Sequence, residues 1–428
     1  MFQTIVNAFK IKEVRRKILI TIALLFVYRL GCYIPVPGVH AFDGMGDYTY
    51  LQIMSAVSGG ALTYGTFFAM GIGPYINASI IIQLLSVAIP SLERLSKQGE
   101  EGKRRINAYT RMLTLVLAIA QAIGILVAFK TAVHTDEIFG SEGFLNFLSY
   151  FFLVVVYTAG AALTMWIGER ITDYGVSNGT SLLIFAGILS TAGTSIIRMV
   201  AKLFVPATAA TAAWTLIGFV IAAILIFTAV TAVNGAERKI LVQYAKQVKG
   251  RKMYGGQSTH IPIKVNASGV MPLIFAYAIL SFPDLIINLV GVGENWWTTN
   301  MGTGSWPYMI VLCVLILFFS YFYNQIQFNP DDVSKSIQGN GGFIPGTRPG
   351  KPTADFLRKV SNRITLFGAI YLALVALVPS ILFKAIGGDE LVNVFSATGI
   401  LIIVSVALEF EQALQSQIMM KNYKGFLK

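Results

Sequence analysis

The chain has 428 residues, of which 55% are hydrophobic and only 13% are charged. Such a composition is typical of a protein embedded in a lipid bilayer and excludes an ordinary soluble enzyme. The formal net charge of +12 could indicate a nucleic-acid partner. We attribute most of it instead to membrane topology and to attraction for anionic lipid headgroups.

Ten apolar stretches follow one another along the chain. A helix needs about 20 mostly apolar residues to cross the hydrocarbon core, so each stretch predicts one membrane span. The stretches are residues 18–33, 74–89, 109–129, 145–167, 181–200, 214–233, 270–290, 308–326, 365–382 and 392–408. Basic residues precede the first stretch, but no small-residue cleavage site follows it, which predicts a retained helix rather than a cleaved signal.

Lysine and arginine are distributed unevenly between alternate connections. Of the 33, 28 fall in the two termini and the even-numbered connections, 4 fall in the odd-numbered connections, and Arg29 lies inside the first span. Membrane proteins keep their basic connections in the cytoplasm. The pattern therefore predicts an all-α integral membrane protein with ten transmembrane helices and with both termini in the cytoplasm.

This topology divides the chain into two halves of five spans, and the two halves have opposite orientations. We expect an N-terminal half over residues 1–205 and a C-terminal half over residues 206–428. Inverted halves of this kind place function at the interface between them. The expectation rests on topology alone, because the two halves share no visible residue-level repeat.

Residues 53–66 form an uncharged, mildly apolar segment that is too short to span a bilayer. A Gly-Ile-Gly-Pro sequence at 71–74 then breaks any helix before the second span begins. One interpretation is a short re-entrant helix packed in a central cavity, because irregular backbone at membrane depth must be covered by protein or water. The other is an external helix lying on the membrane surface.

The spans carry no acidic relay of the kind that proton- or ion-coupled transporters use. Gln83 and Gln121 are amides within spans, and such amides more often join helices than bind ligands. The pathway residues are expected to be isoleucines, because an apolar constriction excludes water and ions without chemical selectivity. We expect no cofactor, no metal site, no nucleotide-binding loop and no enzyme activity.

Two cytoplasmic connections, residues 235–268 and 329–363, are longer than topology requires. The first has Arg251 and Lys252 near its tip, and the second places Arg348 between glycines and prolines. Arginine suits bidentate capture of a carboxylate or phosphate, which favours a docking surface. The alternative is a solvated basic loop.

Long, spaced strings now identify a resemblance. They are PVPG at 35–38, SGGAL at 58–62, PYINASIIIQLL at 74–85, MWIGE at 165–169, QSTH at 257–260 and PGTRPG at 345–350. On these strings the chain, over nearly its whole length, resembles the SecY family, the central subunits of the bacterial protein-conducting channel. The resemblance implies a clamshell of two halves around an hourglass pore, through which unfolded preproteins cross and from which transmembrane segments leave sideways.

The resemblance also implies roles for particular residues. The plug would be residues 53–66, with Ser58, Gly59, Gly60, Ala61 and Leu62 at its centre. The pore ring would consist of Ile72, Ile76, Thr180, Ile184, Ile274 and Ile402. Thr180 departs from the aliphatic side chain that the family prefers. The lateral gate between spans two and seven would carry Asn77 and Phe282, together with Gln83 and Gln121.

In the family's pattern Arg251, Lys252 and Arg348 match residues that dock partners. The implied partners are the SecE and SecG subunits, the SecA motor ATPase, the ribosome, signal peptides with their preproteins, and anionic lipids. The implied location is the bacterial cytoplasmic membrane, with energy supplied by SecA or by translation.

Two other classes of membrane protein share parts of this pattern. A secondary transporter for small molecules also has inverted repeats, although the basic docking loops and the missing charged relay argue against it. An insertase without a sealed pore would instead present a polar groove open to one leaflet.

Overall fold

A computed structural model describes most of the chain. The described residues are 2–42, 54–55, 57–140, 142–202, 204, 209–244, 247–249, 252–254, 258–266, 269, 271–290, 296–301, 305–385 and 397–426.

The first half is built mainly of helices, and its longest connection, residues 32–72, follows the first membrane helix. Its helices are α1 (Phe2–Lys10), α2 (Lys12–Gly31), α3 (Gly73–Ala88), α4 (Pro90–Ser96), α5 (Gly99–Ala128), α6 (Gly143–Tyr174) and α7 (Gly179–Lys202). Proline at the first turn starts α3 and α4, where its missing N–H costs nothing. The chain bends by 106° between these two helices.

The second half contains more helices and a small β-region. Its helices are α8 (Ala209–Gly235), α9 (Met271–Val290), α10 (Trp296–Asn300), α11 (Trp306–Gln327), α12 (Pro330–Gly339), α13 (Lys351–Ala385) and α14 (Ala397–Phe426). Its strands are β1 (Glu237–Tyr244), β2 (Gln247–Lys249), β3 (Lys252–Tyr254), β4 (Ser258–Lys264) and β5 (Gly342–Phe343). Strand β1 pairs antiparallel with β4 on one side and β5 on the other, while β2 pairs with β3.

Each of the ten predicted spans coincides, at least in part, with one of these helices. Among the described residues, six helices are long and apolar enough to cross a bilayer, or seven if the bent pair α3–α4 counts as one span. The molecule is thus mostly helical with a multi-pass membrane character. The total of ten crossings stays a prediction.

The buried side chains form one large central cluster and three smaller ones. The central cluster joins both halves, since it includes Ile72 from α3, Ile184 from α7, Leu273 from α9 and Ile402 from α14. Across the middle, α9 packs against α5 of the first half and against α11 of its own half, and α14 packs against α7 and α8. The two halves therefore share one core.

The smaller clusters gather connections that the charge pattern assigns to the same side. Residues 36–42 pack with residues 129–133, where His134 N–H donates to the carbonyl of Gly38 at 2.8 Å. At the other end, Ala8, Val176 and Leu414 share a cluster. All three lie in segments predicted to be cytoplasmic.

Candidate functional site

The segment that follows the first span folds back into the protein. Met54, Ser55 and Val57 are helical, and turns follow as far as residue 65. The Ser58 hydroxyl donates to the Ser55 carbonyl at 3.1 Å and accepts from Leu62 N–H at 3.3 Å. Ser58 and Leu62 are 1% and 0% exposed, so the segment lies in the interior and not on an outer surface. Of the two sequence interpretations, the buried one agrees with this position.

The walls around this segment approach its backbone closely. A Cβ added at Gly187 of α7 would overlap the carbonyl oxygen of Val57, so the two backbones are in direct contact. On the opposite wall, the thiol of Cys32 donates to the carbonyl of Ser58, with 3.7 Å between sulfur and oxygen. Met54 lies against the first residue of α3, Gly73. We call residues 54–66 the seated segment.

Five of the six residues predicted for a pore ring meet in the central cluster. Ile72, Ile184 and Ile402 are buried there, whereas Ile76 and Ile274 are partly buried against it. They come from α3, α7, α9 and α14, which are far apart in the chain. The central cluster thus contains aliphatic side chains from both halves together with Ala61 of the seated segment.

The sixth residue, Thr180, lies beside Ile72. Its methyl group and the Cδ1 of Ile72 both lie near Gly168 of α6, within 3.7 Å of the point that a Cβ would occupy there. Its hydroxyl is turned to Asn178, whose side-chain oxygen also accepts from Thr180 N–H at 3.1 Å. The polar half of Thr180 is therefore used to begin α7.

The residues predicted for a lateral gate are only partly described. Asn77 and Gln83 are half-buried on α3, and Gln121 is 4% exposed on α5 with its side-chain carbonyl unpaired. The side chain of Phe282 on α9 lies outside the described residues. Since α9 packs against α5, this contact forms part of the seam between the two halves.

The two long basic connections form one compact unit, which we call the platform. Strands β1, β4 and β5 pack with α12 and the start of α13 around their own core of Ile240, Val242, Ile263, Ile337, Ile344 and Leu357. Sequence reasoning treated these connections as separate loops. The short apolar run from Ile240 to Val242, which contains two β-branched residues and is flanked by polar ones, could have indicated the strand.

Arg348 stands on a braced turn of the platform. The Arg348 carbonyl accepts from the Thr353 hydroxyl at 2.8 Å, and the Gly350 carbonyl accepts from the Ser334 hydroxyl at 2.7 Å. The Arg348 side chain is exposed and pairs with no carboxylate among the described residues. Arg251 and the side chain of Lys252 lie outside the described residues. A fixed backbone that carries a free guanidinium suits docking.

The comparison with protein-family models matches residues 66–411 to SecY. Curated proteins named protein translocase subunit SecY are similar over the whole chain. The one from Corynebacterium glutamicum is 40% identical over 99% of both chains, and the one from Streptomyces griseus is 42% identical over all of both chains. The chain belongs to the SecY family.

Solved structures of SecY-family and related channels share the fold. The structure described as that of a protein conducting channel has a TM-score of 0.68 and 20% identity, and it covers 94% of this chain and 92% of its own. A structure of Sec61 in the canine ribosome-channel complex from the endoplasmic reticulum has a TM-score of 0.63 and 18% identity, with the same coverage. The likeness confirms the predicted mostly helical channel fold.

Proposed function

We propose that this chain forms the protein-conducting pore of a translocase in a bacterial cytoplasmic membrane. Unfolded preproteins would pass outward through the gap between its two halves, and apolar segments would leave sideways at the lateral gate between spans two and seven, α3 and α9. The observation that carries the proposal is the seated segment. In a SecY-family chain, Ala61 of this buried segment belongs to the same cluster as isoleucines contributed by both halves.

The isoleucine cluster supports a passive pore. Aliphatic side chains bind neither water nor ions, so a closed ring of them blocks ion flow yet yields to a polypeptide of any sequence. The ring residues proposed are Ile72, Ile76, Thr180, Ile184, Ile274 and Ile402. The pore itself would not be an enzyme, and the driving energy would come from outside the chain.

The platform supports docking of the partners that supply this energy. We propose that Arg348, with Arg251 and Lys252, binds the SecA motor or the ribosome, and that SecE and SecG complete the complex. A structural relative is described within a ribosome-channel complex. The platform would then face the cytoplasm together with both termini, as the charge pattern predicts.

The proposal is tested by reconstitution. The chain, purified with SecE- and SecG-type subunits and placed in vesicles, should import a signal-bearing preprotein when SecA and ATP are added. The same vesicles should resist ion flow at rest. Uptake of a small solute without any polypeptide transport would instead identify a secondary transporter. Insertion of membrane proteins without export of soluble ones would favour an insertase.

A further inference from the structure

Arg29 occupies the last turn of α2, where the negative end of the helix dipole favours a cation. A charged residue inside a span is costly, and it usually marks function. Its sequence position at the outer end allows the side chain to reach headgroups. The structure instead turns it inward, where its Nη2 donates to the hydroxyl of Ser190 on α7.

The other amino group of the guanidinium lies against the seated segment. Nη1 is buried against Gly59, so that a Cβ added at Gly59 would overlap it. The carbonyl of Gly187 lies 3.2 Å from the same Cβ position, and the ring of Tyr33 stacks under the guanidinium at 5.4 Å. Arg29 therefore connects α2 to α7 and contacts the turn that carries Gly59.

Among the described residues, Nη1 has no hydrogen-bond partner and no carboxylate pairs with Arg29. A buried donor without a partner is unfavourable, so simple stability does not account for this placement. The guanidinium fills the space that a side chain at position 59 would occupy. This placement of Arg29 therefore requires glycine at position 59.

We propose that Arg29 is the positioning residue that holds the seated segment in the closed channel. It ties α2 to α7 through Ser190 and supports the turn at Gly59 from below. Displacing the segment removes the contact between Nη1 and Gly59 and exposes Nη1 to water. This inference rests on the proposed function, in which the segment is a plug that must leave when a polypeptide enters.

The native Cys32 reports the position of the plug. Its thiol is 3% exposed and donates to the carbonyl of Ser58, so it reacts with a thiol reagent only after the segment moves. The measurement is the labelling rate of Cys32 by an impermeant maleimide added outside intact spheroplasts that hold the full complex. Cys313 is replaced by alanine throughout, and deletion of residues 53–66 sets the maximum rate.

Arg29→Met keeps the length of the side chain but removes its donors and charge. It should raise the labelling rate about tenfold, because the side chain loses the charged hydrogen bond to Ser190 that holds the guanidinium against Gly59. Ser190→Ala should give a smaller rise and should add nothing to Arg29→Met, since both act through one contact. Arg29→Lys should resemble Arg29→Met, because lysine lacks the fork that reaches both sites. Lys130→Met removes another basic charge predicted to be outside and should leave the rate unchanged.

The proposal fails if Arg29→Met labels at the wild-type rate while its melting temperature is unchanged. It also fails if Lys130→Met raises the rate equally, or if the Arg29 and Ser190 effects simply add. Labelling is measured without substrate. A failure of preprotein transport would therefore count against the proposed function and leave the result for Arg29 standing.

Discussion

At the scale of single residues, the aliphatic side chains of the central cluster differ in burial. Ile316 and Leu273 are fully buried in the central cluster, whereas Ile76 and Ile274 are only partly buried against it. The proposed pore ring would account for the partial burial of Ile76 and Ile274. That distinction makes the ring testable without unfolding the protein.

Replacing Ile76 and Ile274 together by serine should raise the resting ion conductance. Hydroxyl groups let water enter a constriction that aliphatic groups keep dry. Planar-bilayer recording of the purified complex measures the effect. Leu315→Ser is the matched control, because Leu315 is partly buried against the same cluster on α11. Equal conductance in ring and control variants would remove these positions from the ring.

Arg348→Glu should weaken binding of SecA or the ribosome without destabilising the chain. Loss of one charged contact costs about 1.5–3 kcal/mol, roughly ten- to hundredfold in affinity, and the new carboxylate adds repulsion. Partner affinity and preprotein transport are the measurements. Lys335→Glu reverses another exposed charge on the platform and should cost less. If both reversals weaken binding equally, the surface acts only through its total charge.

At the scale of elements, the seated segment depends on backbone approach rather than on its own helix. Gly187→Ala should displace it, because the new methyl group would occupy the position of the Val57 carbonyl. The expected result is increased ion leak and export of preproteins with defective signals. Gly193→Ala, on the same helix with no atom within 4 Å of the new methyl group, should be neutral or stabilising by about 0.5–1 kcal/mol. Normal conductance in a folded Gly187→Ala channel would contradict the contact.

The platform should unfold separately from the membrane helices. Leu357 is fully buried where β1, β4 and α12 meet α13, so Leu357→Ala should cost the platform about 2–5 kcal/mol. Hydrogen exchange should accelerate in β1 and β4 and stay slow in α6. Phe343→Ala, at a 37% exposed position of β5, is the control. Faster exchange in α6 as well would show that platform and membrane core form one cooperative unit.

At the scale of the whole molecule, the charge asymmetry predicts which surfaces meet which compartment. Cysteine placed at Glu142 should react with an impermeant thiol reagent added outside cells, and cysteine placed at Gly339 should not. Both positions suit the test, since Glu142 is exposed and a Cβ at Gly339 meets no atom within 4 Å. Cys32 and Cys313 are first replaced by alanine. Reversed labelling would contradict the topology predicted from the 28 basic residues on one side of the membrane and the 4 on the other.

Composition and hydrophobic runs were sufficient to predict the helices, because each span must satisfy its backbone hydrogen bonds internally in lipid. The approximate positions of the described membrane helices could therefore be read locally. The β1–β4 pairing could not be predicted in this way, because the local sequence of a strand does not identify the strand with which it pairs. The family resemblance supplied the ring and plug positions, and their roles stay predictions.

The sequence by itself determined that the chain is a multi-pass membrane protein and to which family it belongs, and it predicts which side its basic connections face. Those properties depend on hydrophobicity, charge and residue order, which are local. Only the tertiary structure decided that the two basic connections form one platform and that Gly187 touches the seated segment. It also turned Arg29 inward to Ser190, 161 residues away. Contacts between distant residues depend on how helices pack, and packing is settled by the shape of all the side chains together.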